Sequence, residues 1–264
     1  MRALFFAELQ KLSRQPAVLF WGFLSVPLMA VLFRLSLDGL VYLRTGQMTR
    51  GEVDLLLSSA RLFGVSGNSV GHLFYAIGLS SVVFAEYRFA TWRLLVPRAS
   101  RSQLLAAKYL ACLTCLAIGL LLALTANGFV SLVQSLMQGE GLSLLSIRPG
   151  SLAVFAGALS IAMLELAVLT SLVFLLTILS RSMFAAVIPV FLLAIGASIL
   201  QVYLGPTREL IPLPSLVADA ARDWLFSGAA PERALMGLAI LTAWLVAATG
   251  AGLLAFTRQQ LSAE

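Results

Sequence analysis

Few side chains in this sequence suit acid–base, thiol or metal chemistry, and those few lie within apolar stretches. Glu165 stands in the middle of SIAMLELAVLTS, and His72 is the only histidine. Cys112 and Cys115 have the C-x-x-C spacing that in other settings binds metals or undergoes redox chemistry. A carboxylate is costly to hold among apolar side chains. Glu165 therefore indicates either a substrate route or a hydrogen-bond partner on another segment.

Each of these residues also has a purely structural interpretation. A lone histidine is a poor metal site, and no βαβ pattern surrounds the cysteines, so we interpret Cys112 and Cys115 as packing residues. Neutral glutamates occur in packed structures, which leaves the role of Glu165 open. Asn68 lies one helical turn before His72, so the two could present a polar strip to a pathway. The glycines around them instead favour close helix packing, and these are Gly64, Gly67, Gly71 and Gly78.

The sequence contains no enzyme motif with a named site. H-E-x-x-H, G-x-S-x-G and paired carboxylates are all missing. The phosphate-binding loop G-x-x-x-x-G-K-[ST] needs a lysine after a glycine, and neither of the two lysines, Lys11 and Lys108, follows one. We therefore expect no catalytic activity, metal or bound cofactor in this chain.

The composition indicates a membrane protein. Hydrophobic residues make up 60% of the 264 residues, and charged residues only 11%, against about a quarter in soluble domains. Apolar runs long enough to cross a bilayer recur along the chain, and they lack the period-two alternation of barrel strands. We predict one all-α polytopic domain over residues 1–264. Its six transmembrane helices are predicted at 17–33, 63–85, 109–133, 151–179, 184–204 and 234–256.

Positive charge predicts the orientation. The densest basic clusters lie at the N-terminus and after the second span, and charges close to span ends weigh most. Both termini are therefore expected on the cytoplasmic side of a plasma membrane, the inner membrane of a bacterium.

Two further segments are predicted to lie along the membrane surface. Residues 1–16 carry an apolar stripe of Phe5, Leu9 and Leu12, with Gln10, Lys11 and Arg14 turned toward lipid headgroups. The alternative is a cytoplasmic extension of the first span, kinked at Pro16. Before the sixth span, a stripe of Leu216, Ala220 and Trp224 predicts a short outer helix that is interfacial or re-entrant, although an ordinary surface helix fits too.

The segment between spans two and three is unusually basic. Five of the 18 Lys and Arg residues fall between Arg88 and Lys108, and Glu86 is the only acid there. Phe89, Trp92 and Val96 are predicted to share one face of a short helix that ends at Pro97. Ser100 and Gln103 then have the form of a capping box at the start of the next helix. A plain positively charged loop obeying the topology rule is the simpler alternative.

Its residues resemble a known signature. Glu86, Ala90-Thr91-Trp92-Arg93, Leu94-Leu95, Pro97, Ser100-Arg101 and Lys108 are similar to the motif of type-2 ATP-binding-cassette (ABC) transporter permeases. Glycine is usual in that family at the position of Ala90. Chain length, six spans and the place of the motif after span two fit the same family.

The resemblance implies a mechanism and partners. Residues 86–101 would form a cytoplasmic coupling helix that docks on a separate ATPase, which binds ATP and Mg²⁺. Phe89 and Trp92 would fill an apolar groove, Arg88, Arg93 and Arg98 would meet acidic rims, and Glu86 would hold the hinge angle through a salt bridge. Thr91 and Arg101 belong to the same motif.

Six spans are half of the usual pore, which implies a second permease subunit, a copy or a paralogue. Contact with membrane lipid is expected, and nucleic acid is not. An exporter fits best because nothing suggests capture by a binding protein. A membrane scaffold or maturation subunit using the same coupling is the alternative. A secondary transporter would instead show inverted repeats and broken helices. The sequence has no convincing repeat, although Pro189 could break span five.

Overall fold

The computed structural model describes residues 1–46, 53–137, 145–146, 148–204, 210–228 and 230–259. Within these residues, six helices are long and apolar enough to cross a membrane, which confirms the six predicted spans. They cover Pro16–Thr45, Ser69–Arg88, Arg101–Leu136, Pro149–Ser180, Met183–Tyr203 and Pro231–Arg258.

The spans are joined by shorter elements. The first span consists of α2 (Pro16–Leu19), a π-helical turn (Phe20–Leu24) and α3 (Ser25–Thr45), and the others are α5 (Ser69–Arg88), α7 (Arg101–Met137), α8 (Pro149–Ser180), α9 (Met183–Leu204) and α11 (Pro231–Arg258). The short helices are α1 (Arg2–Ser13), α4 (Leu55–Leu62), α6 (Trp92–Leu95) and α10 (Pro214–Ser227). A two-residue parallel pairing joins β1 (Val53–Asp54) to β2 (Leu145–Ser146).

The first span continues well past the predicted end at residue 33. Arg34 and Asp38 lie one turn apart, with Nε and Oδ2 3.7 Å from each other, so these charges are accommodated without a break in the helix. The helix ends only where Gly46 adopts φ of 64°. The prediction ended the span before Arg34, where the apolar stretch of the sequence stops. The helix continues past that charge and ends at Gly46, whose backbone conformation breaks it.

The second span starts later than predicted. Residues Phe63–Gly67 form a 3₁₀ turn, and the side chain of Asn68 caps α5 by accepting a hydrogen bond from the backbone N–H of Val70 at 2.9 Å. The start of α7 agrees with the prediction, because Ser100 Oγ accepts from the backbone N–H of Gln103 at 3.4 Å. Pro189 lies inside α9 without ending it, so span five lacks the break that a secondary transporter would use.

Spans one and two touch at backbone level. A Cβ atom built on Gly78 would lie 2.5 Å from the Cα of Gly22, closer than real side chains approach. This contact bears out the packing role predicted for Gly78. Gly64, in contrast, has open space around it. Cys112 and Cys115 are both buried free thiols inside α7, as expected of packing residues.

The central helix is α8, which packs against α4, α5, α7, α9, α10 and α11. The short helix α4 precedes the second span, buries Ser59 and Ala60, and contacts α7 and α8. At the N-terminus, α1 lies along α7, with Leu12 buried and Phe5 and Leu9 packed on the core. The predicted stripe of α1 is thus its packed face.

The short helix predicted before the sixth span is present as α10, and the face that it packs against the bundle differs from the predicted apolar stripe. Val217, Ala218 and Ala221 form the buried face together with Arg222, whereas Leu216, Ala220 and Trp224 are half-buried. The helix carries two apolar stripes, and periodicity alone did not distinguish the packed one. α10 lies between α8 and α11, where a Cβ on Gly237 would approach the carbonyl oxygen of Val217 at 2.8 Å.

Candidate functional site

The basic hinge joins three helices at one end of the bundle. α5 ends at Arg88, Ala90 turns the chain with φ of 52°, and α6 follows as a single turn before α7 begins. A positive φ is strained for a residue with a Cβ, since only glycine adopts it freely. Ala90 therefore marks a sharp reversal that separates Phe89 from α6.

A buried charged cluster holds this reversal together. Lys108, fully buried, donates from Nζ to Glu86 Oε1 at 2.7 Å and to Glu8 Oε2 at 2.6 Å. Glu86 is also fully buried and accepts from the Lys11 ammonium and from the Thr91 hydroxyl. We call Glu8, Lys11, Glu86, Thr91 and Lys108 the Glu86 cluster.

The Glu86 cluster is balanced in charge. Two carboxylates face two ammonium groups, and only Lys11 retains substantial exposure, at 41% of its side chain. Isolated buried charges are strongly unfavourable, and removing one member of such a pair typically costs about 3–5 kcal/mol. The cluster therefore fixes α1, α5, α6 and α7 relative to one another. The salt bridge expected of Glu86 is present, but the prediction that Lys11 points to lipid headgroups is wrong.

Trp92 is not on the exposed face predicted for it. Its side chain is only 2% exposed and packs against Phe256, with ring centroids 4.6 Å apart, and against Tyr87 at 6.0 Å. The Lys108 ammonium lies 5.6 Å from the Trp92 ring centroid, a cation–π contact. The turn at Ala90 interrupts the helical period, so Phe89 and Trp92 do not share a face. An anchoring role for Trp92 in a partner's groove is inconsistent with this burial.

A different pair of apolar side chains is exposed at the hinge. Phe89 is 67% exposed, and Leu94 is 65% exposed on the side of α6 opposite Trp92. Arg88 is exposed next to Phe89, with its guanidinium 5.5 Å from the Phe89 ring centroid, and Arg98 is exposed just after α6. We call Arg88, Phe89, Leu94 and Arg98 the hinge surface. The side chain of Arg93 lies outside what the structure describes.

Arg101 contacts its own chain instead of facing outward. Its Nη1 donates to the carbonyl oxygens of Phe256, Thr257 and Gln259 at 3.1, 2.8 and 2.7 Å. These are carbonyls at the C-terminal end of α11, which have no partner within the helix and carry its negative dipole end. Arg101 thus attaches the last span to the start of the third, a link that sequence spacing did not predict.

A second charged cluster lies deeper in the bundle around Glu165. Glu165, 1% exposed, pairs with the Arg222 guanidinium from α10, and Arg222 Nη1 donates to Asp219 Oδ1 at 2.6 Å. His72 Nε2 lies 3.8 Å from Glu165 Oε1. Burial raises the pKa of Asp219 above its usual range, although the Arg222 charge opposes this. We call His72, Glu165, Asp219 and Arg222 the Glu165 cluster.

The Glu165 cluster connects α5, α8 and α10. A Cβ on the nearby Gly67 would lie 3.0 Å from both Glu165 Oε1 and Arg222 Nη1, so a small residue is needed there. Asn68 does not join His72 in a polar strip, because it caps α5 and is exposed. Sequence reasoning missed Arg222 as the partner. Glu165 itself was the signal in the sequence, because a buried carboxylate needs a cation as its partner.

The described residues contain no group of three or more His, Cys, Asp or Glu side chains arranged to hold a metal ion. Comparison with protein-family models, curated proteins and solved structures finds no match for the chain.

Proposed function

We propose that this chain is the membrane-spanning permease subunit of an ABC exporter. A separate cytoplasmic ATPase, which binds ATP and Mg²⁺, drives it through residues 86–101. The observation that carries this proposal is the hinge surface: exposed apolar and basic side chains lie on and on either side of the single helical turn α6, and the buried Glu86 cluster ties this segment to α1, α5 and α7.

The hinge is suited to transmit a push. α6 has only four residues, so it cannot act as an independent lever, but Thr91 before it bonds to Glu86 and Trp92 within it packs on Phe256. A displacement of α6 would therefore move the ends of α5, α7 and α11 together. Separating the buried charges would cost several kcal/mol, which favours motion of the hinge as one unit.

The hinge surface also defines the chemistry of the partner. Phe89 and Leu94 are the apolar anchors, and Arg88 and Arg98 border them with positive charge. Central apolar side chains commonly supply most of the affinity of an interface, while charges at the rim add specificity and association rate. The ATPase would offer an apolar groove lined by carboxylates. Trp92 contributes from inside, by supporting α6.

The proposed topology keeps the hinge in the cytoplasm. The hinge, α1 and the C-terminal end of α11 contact one another, so both described chain ends lie with the basic hinge. By the positive-inside rule, this end faces the cytoplasm, and the protein is placed in a bacterial inner membrane. In this orientation α1 is an interfacial helix, and α10 is a re-entrant helix on the outer side.

A second subunit would complete the transporter. Within the most apolar 18-residue stretch of each span, only 28% of α9 and 17% of α11 is buried inside this chain, compared with 67% of α8. Such faces meet either lipid or another permease subunit, a copy or a paralogue. Two six-span chains would form the twelve-span path.

Site-specific photocrosslinking tests the proposal. A photoreactive phenylalanine analogue at Phe89 or Leu94 should capture, in native membranes, a protein whose sequence contains the phosphate-binding loop. The same analogue at Leu43, which is 81% exposed on α3, serves as the control and should not capture it. Crosslinks only to lipid at Phe89 and Leu94 would refute ATPase coupling. If the ATPase is captured but no solute moves in reconstituted vesicles, the scaffold alternative is favoured.

A further inference from the structure

A cavity of about 630 Å³ lies away from the hinge, between α3, α4, α5 and α7. Its size falls within the range of small-molecule binding sites. One wall comes from α3 and α5 and is apolar, while the end near α4 contains charged and amide side chains. The lining of the cavity therefore matches an amphiphilic ligand, with an apolar wall for its tail and a polar end for its headgroup.

The apolar wall remains open to the surroundings of the protein. Met29 is 62% exposed and Phe33 66% exposed, although both line the cavity, and Leu37 continues the same face of α3. On the facing side the wall is formed by Phe74 of α5. Because α3 and α5 are spans, this opening faces the hydrocarbon of a bilayer, from which a lipid chain can enter sideways.

The polar end has an excess of positive charge. Arg34 is fixed by Asn127 Oδ1 and by Ser131 Oγ, the latter at 3.2 Å from its Nη2. The carboxylate of Asp38 is neutralised by Arg34 and accepts a 2.5 Å hydrogen bond from Gln134.

Arg61 is the second cation of the cavity. It is exposed and forms no ion pair with the residues that the structure describes. Arg61 thus places a further positive charge at the mouth of the cavity.

We propose that this cavity binds an anionic phospholipid of the surrounding bilayer. Its phosphate pairs with Arg61 beside the fixed Arg34, and one acyl chain lies along Met29, Phe33 and Phe74. Basic pockets between transmembrane helices bind anionic headgroups through such charge-assisted hydrogen bonds. The site goes beyond the proposed transport function, because it needs neither the ATPase nor a second subunit.

The test uses native mass spectrometry of the purified full-length chain. The protein is exposed to equal amounts of phosphatidylglycerol and phosphatidylcholine with identical chains. We expect preferential retention of phosphatidylglycerol, and Arg61→Gln should reduce the preference about fivefold. Arg44→Gln removes an exposed arginine of α3 that does not line the cavity, and it should leave the preference unchanged.

A second variant tests the cavity independently of charge. Ala30 lines it, so Ala30→Phe should fill the space and reduce retention of both lipids. Equal retention of the two lipids by the unaltered protein would overturn the proposal, as would Arg61→Gln and Arg44→Gln having the same effect. Retention unaffected by Ala30→Phe would place the lipid elsewhere.

Discussion

Lys108 donates a 2.7 Å hydrogen bond to Glu86, and both side chains are completely buried. The two residues come from consecutive spans on either side of the basic hinge. The contact makes the hinge rigid, because a charge buried away from water is stable only while its oppositely charged partner stays in contact with it. Predictions about coupling follow from which side chains belong to this rigid hinge and which face outward.

The Glu86 cluster should show strong compensation between variants. Glu86→Gln and Lys108→Met should each lower the free energy of unfolding by about 3 kcal/mol or more, since each leaves an unbalanced buried charge. The double variant should be less destabilised than the sum, because Glu8 and Lys11, one turn apart on α1, can still pair. Chemical unfolding in detergent measures this, with exposed Arg98→Gln as a near-neutral control. Additive losses would mean that the charges are not coupled.

Substitutions of Phe89 and Trp92 should affect different properties, with Phe89 needed for partner binding and Trp92 for folding stability. Trp92→Ala should lower the free energy of unfolding by about 3–5 kcal/mol, since it empties a packed site beside Phe256. Phe89→Ala should leave stability nearly unchanged and weaken binding of the proposed ATPase partner by about 2 kcal/mol, as for an exposed anchor. Thermal unfolding and ATPase co-purification are measured on both variants. The assignment fails if Phe89→Ala retains its ATPase at full affinity.

The strained turn at Ala90 predicts a stabilising substitution. Ala90→Gly should raise the free energy of unfolding by about 1 kcal/mol, since glycine adopts φ of 52° without steric cost. Ala7→Gly, at an exposed position within α1, is the matched control and should lower it by about the same amount. Thermal unfolding should show changes in stability of opposite sign for the two variants. Loss of stability in both would indicate that Ala90 is not strained.

The spans and several helix termini could be predicted because they depend on local chemistry. Continuous apolar runs specify membrane helices, and Ser100 caps α7 through a residue only three positions away. The close packing at Gly78 was also anticipated, although its partner Gly22 was not. Signals of this kind lie within a few residues of the feature that they predict.

The candidate sites were less predictable because their contacts are long-range. Arg101 bonds to carbonyls more than 150 positions away, and Arg222 meets Glu165 across 57 positions. Trp92 was assigned to the surface because a helical period was extended across Ala90, where the chain reverses. One sequence reveals that a charge or an aromatic ring needs a partner, but the fold decides which one it meets.

The Gly22–Gly78 contact predicts an asymmetry between glycines. Gly78→Ala should destabilise the protein by about 1–3 kcal/mol, because its Cβ would collide with the backbone of α2–α3 at Gly22. Gly39→Ala, in a helical position with open space around it, should instead stabilise by about 0.5–1 kcal/mol. Thermal unfolding of the two variants in the same detergent compares them. A neutral Gly78→Ala would show that the first two spans are not in backbone contact.

The Glu165 cluster predicts that one ion pair holds α10 in place. Glu165→Ala should destabilise more than Glu165→Gln, because the amide oxygen can still accept from Arg222. The double variant Glu165→Gln with Arg222→Gln should recover part of the loss, since it removes two opposite buried charges together and leaves only the partly exposed Asp219 carboxylate without its arginine. Limited proteolysis in the α10 segment measures its attachment, with exposed Asp223→Asn as the control. If Glu165→Ala leaves α10 as protected as in the unaltered protein, apolar packing of Val217 and Ala221 alone holds the helix.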